Sequence, residues 1–436
     1  FTFSGRADGA SKFSDNNKWG VFPSGAFSWR MSEEKFIKDL NIFSSLKLRT
    51  SYGLTGSEAI KPYQTLGLME SNSAFIGSSS NAPFGTTTTI YRPVLLENPD
   101  LTWETTAQWD AGLDFGFFDN KLTVSIDYYQ KETRDLLLEV PVALESGYDT
   151  KLTNIGKVSN KGFEFTISTT PILTKNFCWT SEFNYGMNKN KVVSLGGVQR
   201  IDQAPGSDMP ETIYLEVGKP VGIIYGYVTN GIWQNAEEIA NNPHRSSDKP
   251  GDFRIIDTNK DGKIESNDKV AIANPNPKFT FGFNNTFSYK NIDLTVFFSG
   301  AYGHDVLNFN KHKLMVDNMR HADLVHYWTP ENHSNTHTSA GNSNVAKMID
   351  KYVEDGSFVR LKNLSIRYHL PKSLTNKIGI NKLSVFLTGT DLLTITKYSG
   401  FNPEANQSGG SNTILGIDYN TYPTRASISG GVTLNF

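Results

Sequence analysis

The densest chemistry in this sequence lies between Asp257 and Asp268. Asp257, Asn259, Asp261, Glu265 and Asp268 place oxygen side chains at positions 1, 3, 5, 9 and 12 of a loop, with Gly262 at 6 and Ile264 at 8. That is the spacing by which an EF-hand-type loop surrounds calcium with six or seven oxygens. The carbonyl of Lys263 is the backbone ligand expected at position 7, and Asp stands where Glu is usual at 12. Calcium is the expected cofactor, held in a free-standing loop without long flanking helices. The competing reading is a loop of Asx-turns that needs no ion.

The other constellations carry less. His321, His326, His333 and His337 share one stretch with Pro330 and Asn332; no helix or hairpin pre-sets them as ligands, so a solvated loop is expected. Tyr225, Tyr227, Trp233, Trp328 and Tyr398 fall in long polar connections, where flat rings contact a substrate or pack loop against loop. Glu237 and Glu238 read as an exposed helical turn, and no Ser/His/Asp set or phosphate loop stands out, so an enzyme is not expected. With 42 basic and 44 acidic residues the net charge is −2, which leaves no basic excess for nucleic acid. Cys178 is the only cysteine, so no intramolecular disulfide or thiolate cage forms; its parity puts it on a polar face, as a small filler.

The elements that must carry these loops show best in Phe279 to Tyr302. Phe279, Phe281, Phe283, Phe287 and Tyr289 alternate with Thr280, Gly282, Asn284, Thr286 and Ser288, and only Asn285 breaks the period of two. Past a Lys290-Asn291 turn, Ile292, Leu294, Val296 and Phe298 alternate with Asp293, Thr295 and Ser299, with Phe297 as the exception. Arms of roughly ten residues match a tilted strand crossing hydrocarbon, whereas globular strands cluster near five or six. Further hairpins are expected at Trp103 to Phe118 with Lys121 to Thr133, turning at Asp119-Asn120, and at Gly162 to Pro171 with Phe177 to Asn188. Another pairs Phe358 to Leu370 with Leu383 to Thr396. The last strand puts Ala426, Ile428, Val432, Leu434 and Phe436 on one face.

The result is an all-β chain of about twelve strands, a transmembrane antiparallel β-barrel wall. Short turns alternate with long loops at about 56–101, 189–277, 303–354 and 397–423, and Gly56 to Leu101 reads as loop throughout. Mean hydropathy is −0.39 and hydrophobic residues are 38%, as suits strands that give only half their residues to lipid. The 28 Phe, 18 Tyr and 7 Trp suit interfacial aromatic girdles. The expected location is the cell outer membrane, crossed many times. The chain begins at Phe1 inside a strand-like pattern, so the natural N-terminus is expected upstream. The alternative is a surface-exposed calcium-binding β-protein, adhesive or scaffolding, that never enters a membrane.

Six stretches sharpen this: NPDLTWETTAQWDAGLDFGFFDNKLTVSIDYYQKETRDLL from Asn98, SNKGFEFTI from Ser159, VGIIYGYVTNGIWQNAEEI from Val221, PGDFRIIDTNKDGKIESNDK from Pro250, SFVRLKNLSIRYHLP from Ser357 and TGTDLLTITKYSGFNPE from Thr388. With them the whole chain resembles the SusC/RagA-type TonB-dependent transporters of Bacteroidetes outer membranes. The resemblance implies the C-terminal half of a 22-stranded barrel, without the plug and N-terminal domains. It also implies import of an oligosaccharide or peptide nutrient, a SusD-like lipoprotein lid, and TonB acting through the plug region that this stretch lacks.

Overall fold

A computed structural model describes residues 1–76, 86–203, 209, 212–314, 325–340, 348–375, 379–407 and 411–435. Phe436 and His321 lie outside the described residues. Twelve antiparallel strands follow one another in chain order across one sheet. They are β1 Thr2–Gly9, β2 Trp19–Arg30, β3 Ser45–Ser57, β4 Glu104–Phe117, β5 Leu122–Pro141 and β6 Thr150–Leu173. The second six are β7 Phe177–Leu195, β8 Phe279–Tyr289, β9 Ile292–Tyr302, β10 Phe358–His369, β11 Lys382–Thr396 and β12 Ser427–Asn435. No helix among the described residues is long and apolar enough to cross a membrane.

Register carries the alternation from strand to strand. Trp29, Leu48, Leu113, Ile126, Phe165, Tyr185 and Phe281 form one cross-strand row over seven neighbouring strands, and the adjacent row is Ser28, Arg49, Gly112, Asp127, Glu164, Gly186 and Thr280. Because side chains alternate with period two, adjacent rows point to opposite faces. One face of the wall is therefore apolar and the other polar across these seven strands. On the polar face Arg49 sits between Asp114, at 2.8 and 2.9 Å, and Asp127, at 3.0 Å, and Cys178 pairs in register with Ser288.

The two exceptions in the β8–β9 hairpin have different fates. Asn285 points to the apolar face, where it is buried and its Oδ1 accepts from Trp179 Nε1 at 3.1 Å; the bond satisfies both polar groups where water is scarce. Phe297 faces the polar side between Asn284 and Asn363.

Connections sort by end. At one end lie 31–44, 118–121, 174–176, 290–291 and 370–381; at the other lie 10–18, 58–103, 142–149, 196–278, 303–357 and 397–426. The turn after β4 is wider than the two residues expected, since Phe118, Asp119 and Asn120 all take positive φ. Strands β5 and β6 also run on toward the long-loop end past their expected limits at Thr133 and Gly162. A bulge between Thr133 and Leu136, with Asp135 at φ 56°, shifts the parity there and conceals the continuation. The 24 residues of β6 rise about 3.3 Å each, far more than a bilayer requires even when tilted, so the wall projects beyond the membrane band.

Gly56 to Leu101 is not loop throughout. Leu68–Ile76 pairs with Thr86–Leu96 as a hairpin, and Pro93 sits opposite Met69 at a register shift. A proline inside a run argues against a strand unless it stands at a bulge or edge, as it does here.

Candidate functional site

Among the described residues the largest buried cluster lies in the long connections rather than in the wall. Ile213, Ile224, Leu307, Phe309, Ile349 and Ile417 are fully buried in one cluster drawn from 196–278, 303–357 and 397–426. Short pairings stitch the connections together: Ile224–Gly226 with Val270–Ala273, Thr229–Ile232 with Phe253–Ile255, and Asp305–Asn308 with both Val353–Asp355 and Ile417–Asp418. Polar links cross between loops, as where Asp350 Oδ1 accepts from Thr229 N at 3.1 Å and Thr229 Oγ1 at 2.7 Å. These loops form a folded cap on one end of the barrel wall.

The five candidate aromatics lie in or against that cap. Trp233 is fully buried with the Arg254 guanidinium 5.0 Å from its ring centre. Trp328 is buried, donates Nε1 to Gln234 Oε1 at 2.9 Å and stacks on His333. Tyr225 meets Tyr214 edge-on at 5.1 Å and donates its hydroxyl to Glu216; burial first, then that carboxylate, pushes the phenol above its ordinary range. Tyr398 is buried and donates to Asp418 Oδ2 at 2.6 Å, and burial with the Asp418 bond raises it likewise. Tyr227 is partly buried, with Lys269 Nζ 5.9 Å from its ring centre. In this structure Tyr225, Trp233, Trp328 and Tyr398 are buried and fasten loop to loop, while Tyr227 keeps part of its ring exposed.

One charged group in the cap is under strain of its own. Asp252 is fully buried; its Oδ2 accepts from Lys249 N at 3.0 Å, while Oδ1 has no hydrogen-bond partner. Burial raises its pKa to about 6, only partly opposed by the Lys249 N–H.

The Asp257 to Asp268 loop takes the turn its spacing demands, with Gly262 at φ 85°, a value favouring glycine. Its oxygens, however, face its own backbone. Asp257 accepts from Lys260 N at 2.6 Å and Gly262 N at 2.8 Å, and Asp261 accepts from Lys263 N at 2.9 Å. Asn259 Oδ1 accepts from Asp261 N at 2.9 Å. Asp268 is fully buried and accepts from Thr258 N and Glu265 N, each at 2.9 Å, closing a capping box with Glu265. Among the described residues no three His, Cys, Asp or Glu side chains gather as a metal-holding group, and the carboxylates of Asp257, Asp261 and Asp268 are engaged by N–H groups of the loop itself. His326 and His337 are 6.3 Å apart between ring centres, and His333 serves Trp328.

A cleft that sequence reasoning missed opens beside Tyr398, lined by residues of 308–314, 399–401 and 418–423, with a volume of about 510 Å³. Phe401 was within reach as a loop aromatic, but nothing local marks it as different from the buried Tyr398.

Comparison with known proteins fits this architecture. The family model "TonB dependent receptor-like, beta-barrel" matches residues 1–392. TonB-dependent receptor P3 of Formosa agariphila is 39% identical over all of this chain and 44% of its own length. TonB-dependent receptor SusC of Bacteroides thetaiotaomicron is 32% identical over all of this chain and 42% of its own. The RagAB peptide importer in its closed-closed state superposes with a TM-score of 0.78 at 26% identity, over 100% of this chain and 45% of that one. This chain thus spans less than half the length of the relatives it matches. The polar-and-apolar wall, the sorted loops and these likenesses agree: the chain belongs to the TonB-dependent receptor β-barrel family, in its SusC/RagA-type branch.

Proposed function

We propose that this chain forms the outer-membrane wall and external cap of an importer for an oligomeric nutrient, glycan or peptide. The observation that carries the reading is the pairing of rows across seven strands, which gives lipid one face and a wet interior the other. A cap folded from the long loops then guards one mouth, while the connections 31–44, 118–121, 174–176, 290–291 and 370–381 border the other rim. In this reading the long-loop end faces outward, a SusD-like lipoprotein covers the cap, and TonB supplies force through a plug contributed by the rest of the protein. Transport of this kind breaks no covalent bond, and no residue is assigned a catalytic role.

The test is deletion of the gene for the full-length protein, followed by uptake of fluorescent oligosaccharides and oligopeptides by intact cells. Import of one class should stop, and affinity purification of the tagged protein should bring down a lipoprotein. Unchanged uptake of both classes would remove the importer reading.

A further inference from the structure

At the end of the wall away from the cap, one connection carries apolar side chains in the open. Residues 31–44 join β2 to β3, where 118–121, 174–176 and 290–291 suffice for the next three hairpins. Both ends of this connection turn onto the apolar face of the wall. Glu34 Oε1 accepts from Trp29 Nε1 at 3.0 Å, and the Phe43 ring lies 5.3 Å from Phe117 and 6.2 Å from Phe115. Trp29 stands in the apolar cross-strand row with Leu113, and Phe115 and Phe117 share the parity of Leu113 on β4. Between these contacts Lys35–Lys38 makes one helical turn. Its amides are satisfied internally: Lys38 N donates to Glu34 O, Asp39 N to Lys35 O, Leu40 N to Ile37 O and Asn41 N to Lys38 O, at 2.9, 2.9, 3.1 and 3.1 Å. A backbone paired in this way can leave water without stranding polar groups. Phe36 is 60%, Leu40 52% and Ile42 56% exposed, and Phe36 and Leu40 share one helical face. The neighbouring connection, tied on by Asp119 N donating to Ser44 Oγ at 2.8 Å, adds Phe118 at 72% exposed.

We propose that residues 31–44 form an anchor in the headgroup–acyl boundary of the phospholipid leaflet at this rim, with Phe36, Leu40 and Ile42 inserted at the boundary and Lys35 and Lys38 at the phosphates. The argument is continuity with the face that meets lipid. Trp29, Phe43, Phe115 and Phe117 tie the connection to that face, and the exposed side chains carry it past the strand ends. Charge suits the same depth: Lys35 and Lys38 flank Phe36 and Ile37, and Lys38 pairs with Glu33 at 2.8 Å. Lysine stems lie along apolar surface and leave their ammonium groups among lipid phosphates. The inference rests on the reading of the sheet as a membrane wall. It adds a segment outside the strands that sets the depth of β2 and β3 against force applied during import.

The experiment uses the full-length protein with every cysteine replaced by Ser, bearing Phe36→Cys, Asp39→Cys, Leu40→Cys or Ile42→Cys singly with an environment-sensitive fluorophore. Each is reconstituted in phosphatidylethanolamine–phosphatidylglycerol vesicles with a lipid-borne quencher either at the headgroup boundary or deep in the acyl chains, or with iodide on both sides. Labels at 36, 40 and 42 should emit further to the blue than the label at 39 and lose more emission to the shallow quencher than to the deep one. The label at 39 should lose more to iodide. Because the fluorophore is itself apolar, hydrogen exchange of 34–42 in unlabelled protein supplies a second readout. The parent should exchange severalfold more slowly in vesicles than the variant carrying Phe36→Ser, Leu40→Ser and Ile42→Ser, with heat-modifiable gel mobility the same in both. Iodide quenching of 36, 40 and 42 equal to that of 39, shielding of all three from iodide and lipid-borne quenchers alike, as under a protein partner, or equal exchange rates would each overturn the anchor. A label on Phe298→Cys separates the two claims: lipid-borne quenching there but not at 36, 40 and 42 sinks the anchor alone, whereas none at any of these positions sinks the membrane wall.

Discussion

Asp252→Asn should stabilise the cap, and only above a definite pH. The buried carboxyl keeps its proton up to about pH 6, against an ordinary value of 3.8. The folded cap therefore binds more protons than the unfolded chain across that window, so its stability falls as pH rises from about 4 to 6 and stays reduced above. A shift of roughly two units corresponds to ~3 kcal/mol, and water reaching Oδ1 would bring the working figure to about 1–3 kcal/mol. Asn keeps an oxygen for the Lys249 N–H and carries no charge to desolvate. Hydrogen exchange of segment 212–275 in the full-length protein measures this directly. The variant should exchange about five-fold or more slowly at pH 7.5 and match the parent near pH 4. An equal difference at both pH values would refute the reasoning, because the benefit would then not come from the carboxylate.

Asn285→Leu should cost about 1–3 kcal/mol in urea unfolding of micelle-embedded protein, since Trp179 Nε1 loses its acceptor on the apolar face; Asn285→Leu with Trp179→Phe should recover most of it, and additive losses would mean the bond contributes nothing. Phe298 lies six residues from Ile292 at the tight-turn end, about 14 Å into an apolar band ~25 Å tall. Phe298→Arg should thus cost ~2–4 kcal/mol and lower the amount assembled in the outer membrane, whereas Ser299→Arg should assemble normally; equal damage from both would indicate a two-sided core. For the Asp257 to Asp268 loop, whose carboxylates already cap its own N–H groups, thermolysin cleavage should be the same in EDTA and in millimolar calcium. Protection that appears only with calcium would restore the ion that the spacing suggests.

The wall was legible because its information is local. Period-two alternation and tight turns are written within twenty residues, and the hairpins named from sequence came through, with the two faces of Phe279 to Tyr302 sorted as expected. Concealment came where backbone geometry broke the period, at Asp135 and at Pro93. Asn285 stood out as a flaw in the pattern, but its reason is Trp179, 106 positions away. The cap was illegible for the same cause on a larger scale: Thr229 meets Asp350 across 121 positions, Gln234 meets Trp328 across 94, and Asn310 meets Asp418 across 108. Loop aromatics could be named from sequence, yet whether a ring is buried like Trp233 or bared like Phe401 depends on such pairings. The spacing from Asp257 to Asp268 was legible, but not that Asp257 and Asp261 accept from N–H groups of their own loop.

The central claim is that one face of this sheet meets lipid and the other meets water. Its most direct test replaces every cysteine of the full-length protein, Cys178 among them, with Ser, places single cysteines from 292 to 299 with a fluorophore on each, and reconstitutes them in vesicles. Lipid-borne quenchers should act on 292, 294, 296 and 298, while iodide should act on 293, 295 and 299, a pattern of period two. Iodide quenching of both sets alike, with lipid-borne quenchers acting on neither, would contradict a membrane wall.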